Sequence, residues 1–306
     1  MPFTRRKFMS AAAGLGAGTA LGFSPFRAHA QIGLGDIRLD VVSDGTLTLP
    51  ADFSFAGMPQ EPLAAIRAKY GLTGDVLTPP CNVTLMRSGD RTVLFDVGAG
   101  SDFMASAGAL QASLDALGVA PDDVTDVVFT HAHPDHLWGL LDDFDDPLFA
   151  NASYMIGKTE WDYWMDPKTV DTIDAGRTTF AVGAQRRLAL IEDNITFFND
   201  GEEIIPGVAA RATFGHTPGH MSFEVRSGSN AAMILGDCIG NHHVAFEHPE
   251  WVTESDQDGD QGVETRVALL DQLALDKTRI IGFHLAEGGT GYVDKTASGY
   301  HFVAEA

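Results

Sequence analysis

The sequence predicts an α/β chain laid out as a four-layer αββα sandwich. Three observations predict it. Strand and helix signals alternate through two successive cycles, and each half opens on paired strands. Short apolar runs repeatedly end on a histidine or an aspartate, as when separate strands deliver polar groups to one pocket.

The elements follow in chain order. Residues 37–42 and 46–49 flank Asp44-Gly45, a hairpin signal. Residues 83–86 and 92–95 flank Ser88-Gly89-Asp90 in the same way. Leu110, Leu114 and Leu117 recur at helical spacing, and Gly118 stops that helix. A short strand follows at 126–130. The second cycle is expected from strands at 195–198, 208–214, 221–225 and 232–235, a helix around 263–275 and a strand at 279–283. Two segments, 50–80 and 159–190, carry aromatic residues among turn formers and read as insertions that shape a pocket. Ordinary packing of loops on the sandwich accounts for half or more of those aromatics.

The ends and the composition bound the function. Thr4-Arg5-Arg6-Lys7-Phe8-Met9 is a twin-arginine start, and a small-residue apolar stretch leads to Ala28-His29-Ala30, an A-x-A cleavage signature. Residues 1–30 are therefore expected to be a cleaved export signal, and 31–306 a single domain that is periplasmic or secreted. The apolar stretch is shorter than the roughly 18–20 residues that span a bilayer, so no membrane attachment is expected after cleavage. The formal charge of the 306-residue chain is −22, and it grows more negative without Arg5, Arg6, Lys7 and Arg27. That balance argues against nucleic-acid backbones and anionic lipid surfaces as partners. A small-molecule substrate is expected instead, and a homodimer is left open. The only cysteines, Cys81 and Cys238, could pair in an oxidising compartment. Cys238 reads better as a buried small side chain in an apolar strand.

The chemistry is concentrated in His131-Ala132-His133-Pro134-Asp135-His136, directly after Val127-Val128-Phe129. Imidazole nitrogen and carboxylate oxygen suit a zinc-like ion. Four such ligands in one short loop are too many for one open site and suggest two ions side by side. Further candidates stand at other strand ends: His220 in His216-Thr217-Pro218-Gly219-His220, Asp237 after Leu235-Gly236, and His284 after Gly282-Phe283.

With these residues the chain resembles the metallo-β-lactamase superfamily, whose HxHxDH motif is His131, His133, Asp135 and His136 here. The resemblance runs from Gly35 to the C-terminus and implies the same αββα fold. It implies that His131, His133 and His220 hold a first metal, that Asp135, His136 and His284 hold a second, and that Asp237 bridges them. Asp96, in Leu94-Phe95-Asp96-Val97-Gly98, matches an upstream aspartate that braces the ligand loop. His216 is expected to be such a brace or a structural residue. Within the superfamily the chain is most similar to methyl parathion hydrolase and its lactonase-like relatives, whose pocket aromatics correspond to Phe103, Trp164 and Phe180 here.

The resemblance implies two divalent ions, with zinc expected, and a bridging hydroxide as nucleophile. Asp135 or Asp237 would relay the proton. The expected substrate is a neutral, fairly apolar ester or lactone, with organophosphate triesters as a side activity. Some acyl-homoserine-lactone lactonases carry a tyrosine where this chain has Gly240, which weakens the transfer of their detailed mechanism, though the methyl parathion hydrolase group also lacks it. The alternatives are an iron-dependent oxidoreductase resembling persulfide dioxygenases, a β-lactamase-type hydrolase, and a non-catalytic binding protein.

Overall fold

The structure, a computed structural model, describes residues 30–305. The expected export segment lies outside them, save Ala30, which opens the first strand. β1 (Ala30–Leu34) and β2 (Ile37–Thr46) lead into a short ribbon, β3 (Leu49–Pro50) and β4 (Val76–Leu77), which brackets α1 (Ala51–Ser54) and α2 (Gln60–Lys69). Then come β5 (Pro80–Ser88), β6 (Arg91–Phe95), α3 (Leu110–Ala116), β7 (Asp126–Phe129), α4 (Pro134–Leu137) and β8 (Ser153–Gly157). Three helices follow, α5 (Lys158–Met165), α6 (Thr169–Thr172) and α7 (Thr178–Ile191), before β9 (Ile195–Phe198). The rest comprises β10 (Glu203–Ile205), β11 (Val208–Ala212), β12 (Met221–Ser227), β13 (Asn230–Ile234), α8 (Val244–Glu247), α9 (Gly259–Asp276), β14 (Arg279–Ile281), β15 (Thr290–Lys295) and β16 (Tyr300–Ala304).

Two seven-stranded sheets result, in the orders β1-β2-β5-β6-β7-β8-β9 and β10-β11-β12-β13-β14-β15-β16. Side-chain alternation along each strand sets the layers. Val128 of β7 points between the sheets, with Phe95, Phe223 and Ile234. Its neighbours Val127 and Phe129 face outward to a core shared with Leu114, Trp164 and Leu188 from the helices. In the second sheet Ala232 and Ile234 point inward, while Met233 and Leu235 meet Leu269, Leu270 and Leu273 of α9. Three cores between four layers give the αββα sandwich.

Most strand positions agree with the periodicity, and three features differ. Residues 44 and 45 do not turn the chain: β2 runs through them to Thr46, and the reverse turn is Gly35-Asp36, with Leu34 paired to Ile37. Asp44 is buried instead, and its carboxylate accepts the backbone N–H groups of Ala99 (2.8 Å), Gly108 (3.2 Å) and Leu110 (2.8 Å). Gly45 lies against the same loop, where a Cβ would stand 2.4 Å from the Ser106 carbonyl oxygen. An Asp-Gly pair thus serves long-range anchoring rather than a hairpin. β9, expected to open the second cycle, is the edge strand of the first sheet beside β8. The 50–80 segment folds as its own small cluster, in which Phe55, Leu63 and Ile66 pack on Val244.

Cys81 and Cys238 are both buried free thiols. Among the described residues no helix is long and apolar enough to cross a membrane.

Candidate metal centre

The ends of β6, β7, β13 and β14 lie at one edge of the sandwich, and each releases a polar residue there: Asp96, then His131 one residue beyond Thr130, then Asp237, then His284. β6 and β7 run parallel, as do β13 and β14, so their carboxyl ends share that edge. The turn between β11 and β12 adds His216 and His220.

Two groups of metal-ligand atoms form. Asp135, His136, Asp237 and His284 compose one, and His131, His133 and His216 the other, with the ligand atoms of each group within 4.8 Å of one another. His131 Nε2 lies 3.0 Å from His133 Nδ1, which lies 2.9 Å from His216 Nε2. In the second group His284 Nε2 stands 3.1 Å from both Asp135 Oδ2 and Asp237 Oδ2. Asp237 sits between the groups, because Oδ2 is also 3.5 Å from His216 Nε2, while Oδ1 is 3.3 Å from His136 Nε2.

The outward hydrogen bonds fix which nitrogen faces in. His136 Nδ1 donates to Asp96 Oδ2 at 2.8 Å, and His284 Nδ1 donates to the Pro80 carbonyl at 2.7 Å. His216 Nδ1 donates to Asp256 Oδ1 at 3.3 Å. The Thr130 hydroxyl donates to Asp96 Oδ2 (2.8 Å), which leaves its oxygen to accept from His131 Nδ1 (3.0 Å). Four imidazoles, those of His131, His136, His216 and His284, therefore turn Nε2 inward, toward one another and toward two carboxylates. Asp135 Oδ2, His136 Nε2 and Asp237 Oδ1 are buried without a hydrogen-bond partner. Such converging electron pairs in a buried site fit cations and little else.

Electrostatics give the same picture. Burial, reinforced by the neighbouring histidines, keeps His131 and His133 well below the ordinary imidazole range, so both are neutral donors. Burial also opposes charge on His136 and His284, yet Asp237 and Asp135 outweigh it and hold both well above that range. Burial pushes the Asp237 and Asp135 carboxyls up, and the same histidines overcome it and hold both well below the usual range. The carboxylate group demands positive charge at its centre.

One assignment is corrected. His220 was expected in the first group, with His216 outside it, and the geometry reverses them. The Ser222 hydroxyl donates to the Leu235 carbonyl (2.8 Å), so it accepts from Thr213 (2.9 Å), which in turn accepts from His220 Nδ1 (2.8 Å). His220 Nε2 accepts the Asp237 backbone N–H at 2.9 Å. Both ring nitrogens of His220 are spent. Gly236 makes the approach feasible, with a φ of +58° and a site where a Cβ would come 2.6 Å from His220 Nε2. Asp96, at a φ of +67°, sits where expected of a brace, accepting from the Thr130 N–H and hydroxyl as well as from His136.

Above the two groups opens a cavity of about 570 Å³. His133, Asp135, Asp237 and His284 floor it, and Leu47, Leu49, Phe53, Phe103, Met104 and Phe180 give apolar walls. Phe103 and Phe180 meet edge to face at 6.0 Å. Trp164, expected with them, is not in the wall. It is fully buried behind His133, at 5.8 Å between ring centres, and its Nε1–H donates to Glu160 Oε1 at 2.6 Å. A large apolar ring with one N–H found a buried carboxylate partner rather than the cavity.

Several groups around the site were not singled out from the sequence. Asp256 belongs to an acidic run that reads as solvated, yet its side chain is only 3% exposed and meets both His216 and Arg266. Gln257 lies with Nε2 3.1 Å from His133 Nε2. Glu160 is fully buried beneath both histidine loops. The one sequence signal for it is an acid among Trp161, Tyr163 and Trp164, with Trp164 one helical turn away.

Comparison with known proteins gives the following. The metallo-beta-lactamase superfamily profile matches residues 77–284. The N-acyl homoserine lactonase AttM of Azorhizobium caulinodans is 28% identical over 127 residues, which is 40% of this chain and 44% of AttM, so the chain matches less than half of that relative's length. Among solved structures, the dizinc quorum-quenching lactonase AidC superposes with a TM-score of 0.85 at 26% identity, covering 90% of this chain and 97% of AidC. The hydrolase AbOPH superposes at 0.84 with 27% identity, over 90% and 97% of the two chains.

Proposed function

The chain belongs to the metallo-beta-lactamase superfamily, and from that premise we propose that it is a dinuclear-metal hydrolase of neutral, largely apolar lactones or esters. The observation that carries the proposal is a cluster of seven ligand-type side chains, in two groups that meet at Asp237, lying at and under the floor of a cavity with apolar walls. His131, His133 and His216 would hold one ion, and Asp135, His136 and His284 the other. Imidazole and carboxylate without thiolate make zinc the proposed metal. A pair of divalent ions supplies Lewis acidity and an activated water at neutral pH.

The chain's own residues do the rest. The outward bonds of His136 and His284 lock their rings before substrate arrives, so little reorganisation remains for the reaction. Leu47, Leu49, Phe53, Phe103 and Phe180 would take up an apolar acyl or aryl group and exclude water around the scissile bond. The proton released in hydrolysis has two carboxylates near it, Asp135 and Asp237. Both would be weak bases once bound to a cation. A net charge of −22 disfavours polyanionic substrates and leaves neutral ones unhindered. Support for a lactone comes from the overlay on AidC, described as a lactonase with its product bound. Phosphotriesters are proposed as a side activity, because they too are neutral and apolar and the walls of the cavity are apolar.

The test is a turnover panel on purified, metal-loaded protein, with N-acyl homoserine lactones, aryl esters, a phosphotriester and a β-lactam. Lactone or ester turnover is expected to dominate. Failure on both, or β-lactam turnover alone, would overturn the proposal. Export by the twin-arginine route is proposed separately from residues 4–9 and 28–30, and N-terminal sequencing of protein from the periplasm or medium tests it.

A further inference from the structure

We infer that Glu160 is a positioning residue for the first metal group, one carboxylate that clamps the loop bearing His131 and His133 to the turn bearing His216. The inference rests on the two-cation reading above. Glu160 Oε1 accepts the Ala132 N–H at 2.9 Å and the Trp164 Nε1–H at 2.6 Å. Oε2 accepts the Thr217 hydroxyl at 2.7 Å and the Gly219 N–H at 3.0 Å. Ala132 stands between the two histidines of its loop, and Thr217 directly follows His216. The four donors thus come from both ligand loops and from the tryptophan that backs His133.

The two loops are far apart in sequence, and the contacts among their three imidazole nitrogens, at 2.9–3.0 Å, need them held in register. The turn packs directly on the start of α5, because a Cβ on Gly219 would stand 2.1 Å from the Glu160 backbone nitrogen. Burial pushes the Glu160 carboxyl above its ordinary range, and its four hydrogen bonds offset only part of that rise. A carboxylate buried only to stabilise the fold has no need to divide its bonds between two ligand loops. None of Asp135, His136, Asp237 and His284 makes a hydrogen bond to Glu160, whereas the turn bearing His216 makes two, so its loss should fall first on the first group.

The test is Glu160→Gln in the full chain. The amide keeps one acceptor oxygen but turns an N–H₂ group toward two donors. Cobalt titration against a competing chelator reads the affinity of each site, and mass spectrometry counts the metal kept after dialysis. The first-group affinity is expected to fall about 10–100-fold, the range for outer partners of a metal site. The second should remain near wild type, with an unchanged circular dichroism spectrum. Thr217→Val removes one of the four bonds and should give a smaller loss at the same site, which decides the matter if Glu160→Gln fails to fold. Two ions held at wild-type affinity in the variant that folds would overturn the role of Glu160 and leave the two-cation reading standing. A wild-type chain that binds no pair of ions would sink both.

Discussion

The backbone N–H of Asp237 donates to Nε2 of His220 at 2.9 Å, and this bond decides which histidine of the turn is free to hold a cation. His220 supports the carboxylate that lies between the two groups, and His216 presents the lone pair. His216→Ala is therefore expected to cost the first ion and to lower turnover more than 100-fold, while His220→Asn should keep two ions and lose about 10–100-fold, as for a bracing partner. Metal content and kcat/KM of the two variants check this. The opposite ranking would restore His220 as the ligand.

Phe180 and Phe103 should act on substrate affinity rather than on chemistry. Each forms cavity wall, and Phe180 packs 5.8 Å from the His133 ring. Phe180→Ala removes apolar contact made alike in ground and transition states, so KM for a long-chain lactone should rise about 10-fold, with kcat little changed. A short-chain substrate should show a smaller rise. Trp164→Phe, behind the wall, should leave chain-length preference unaltered.

Asp44 should make stability fall as pH rises. Burial pushes its carboxyl up to about 6, although three backbone N–H groups oppose the shift. The folded state therefore holds the proton more tightly than the unfolded chain. Its contribution is complete below about pH 4 and is lost as pH climbs through about 6, a change of order 2–3 kcal/mol. Asp44→Asn cannot titrate. Thermal melts from pH 4 to 7 should show the advantage of wild type over the variant shrinking as pH increases, and a growing advantage would refute the assignment.

Much of this architecture is legible in the sequence, for physical reasons. Val127-Val128-Phe129 must be a strand with two apolar faces, and His131 to His136 cannot continue it once Pro134 intervenes. The ends of β7, β13 and β14 were readable because an apolar run stops on a ligand-type residue. The His216/His220 choice was not readable, since it depends on a hydroxyl relay through Thr213 and Ser222 that no local pattern reveals. Asp44-Gly45 misled because a turn-forming pair was recruited by a loop 55 residues away. Glu160 and Trp164 were hidden for the same reason: burial and partners at long range decide what a glutamate or a tryptophan does.

The most direct test of the central claim is metal stoichiometry on the purified chain, read together with activity through one cycle of chelation and reloading. Two zinc-like ions per chain are expected, with activity lost on their removal and regained when zinc returns. A single iron per chain, or turnover that persists after both ions are stripped, would contradict the account.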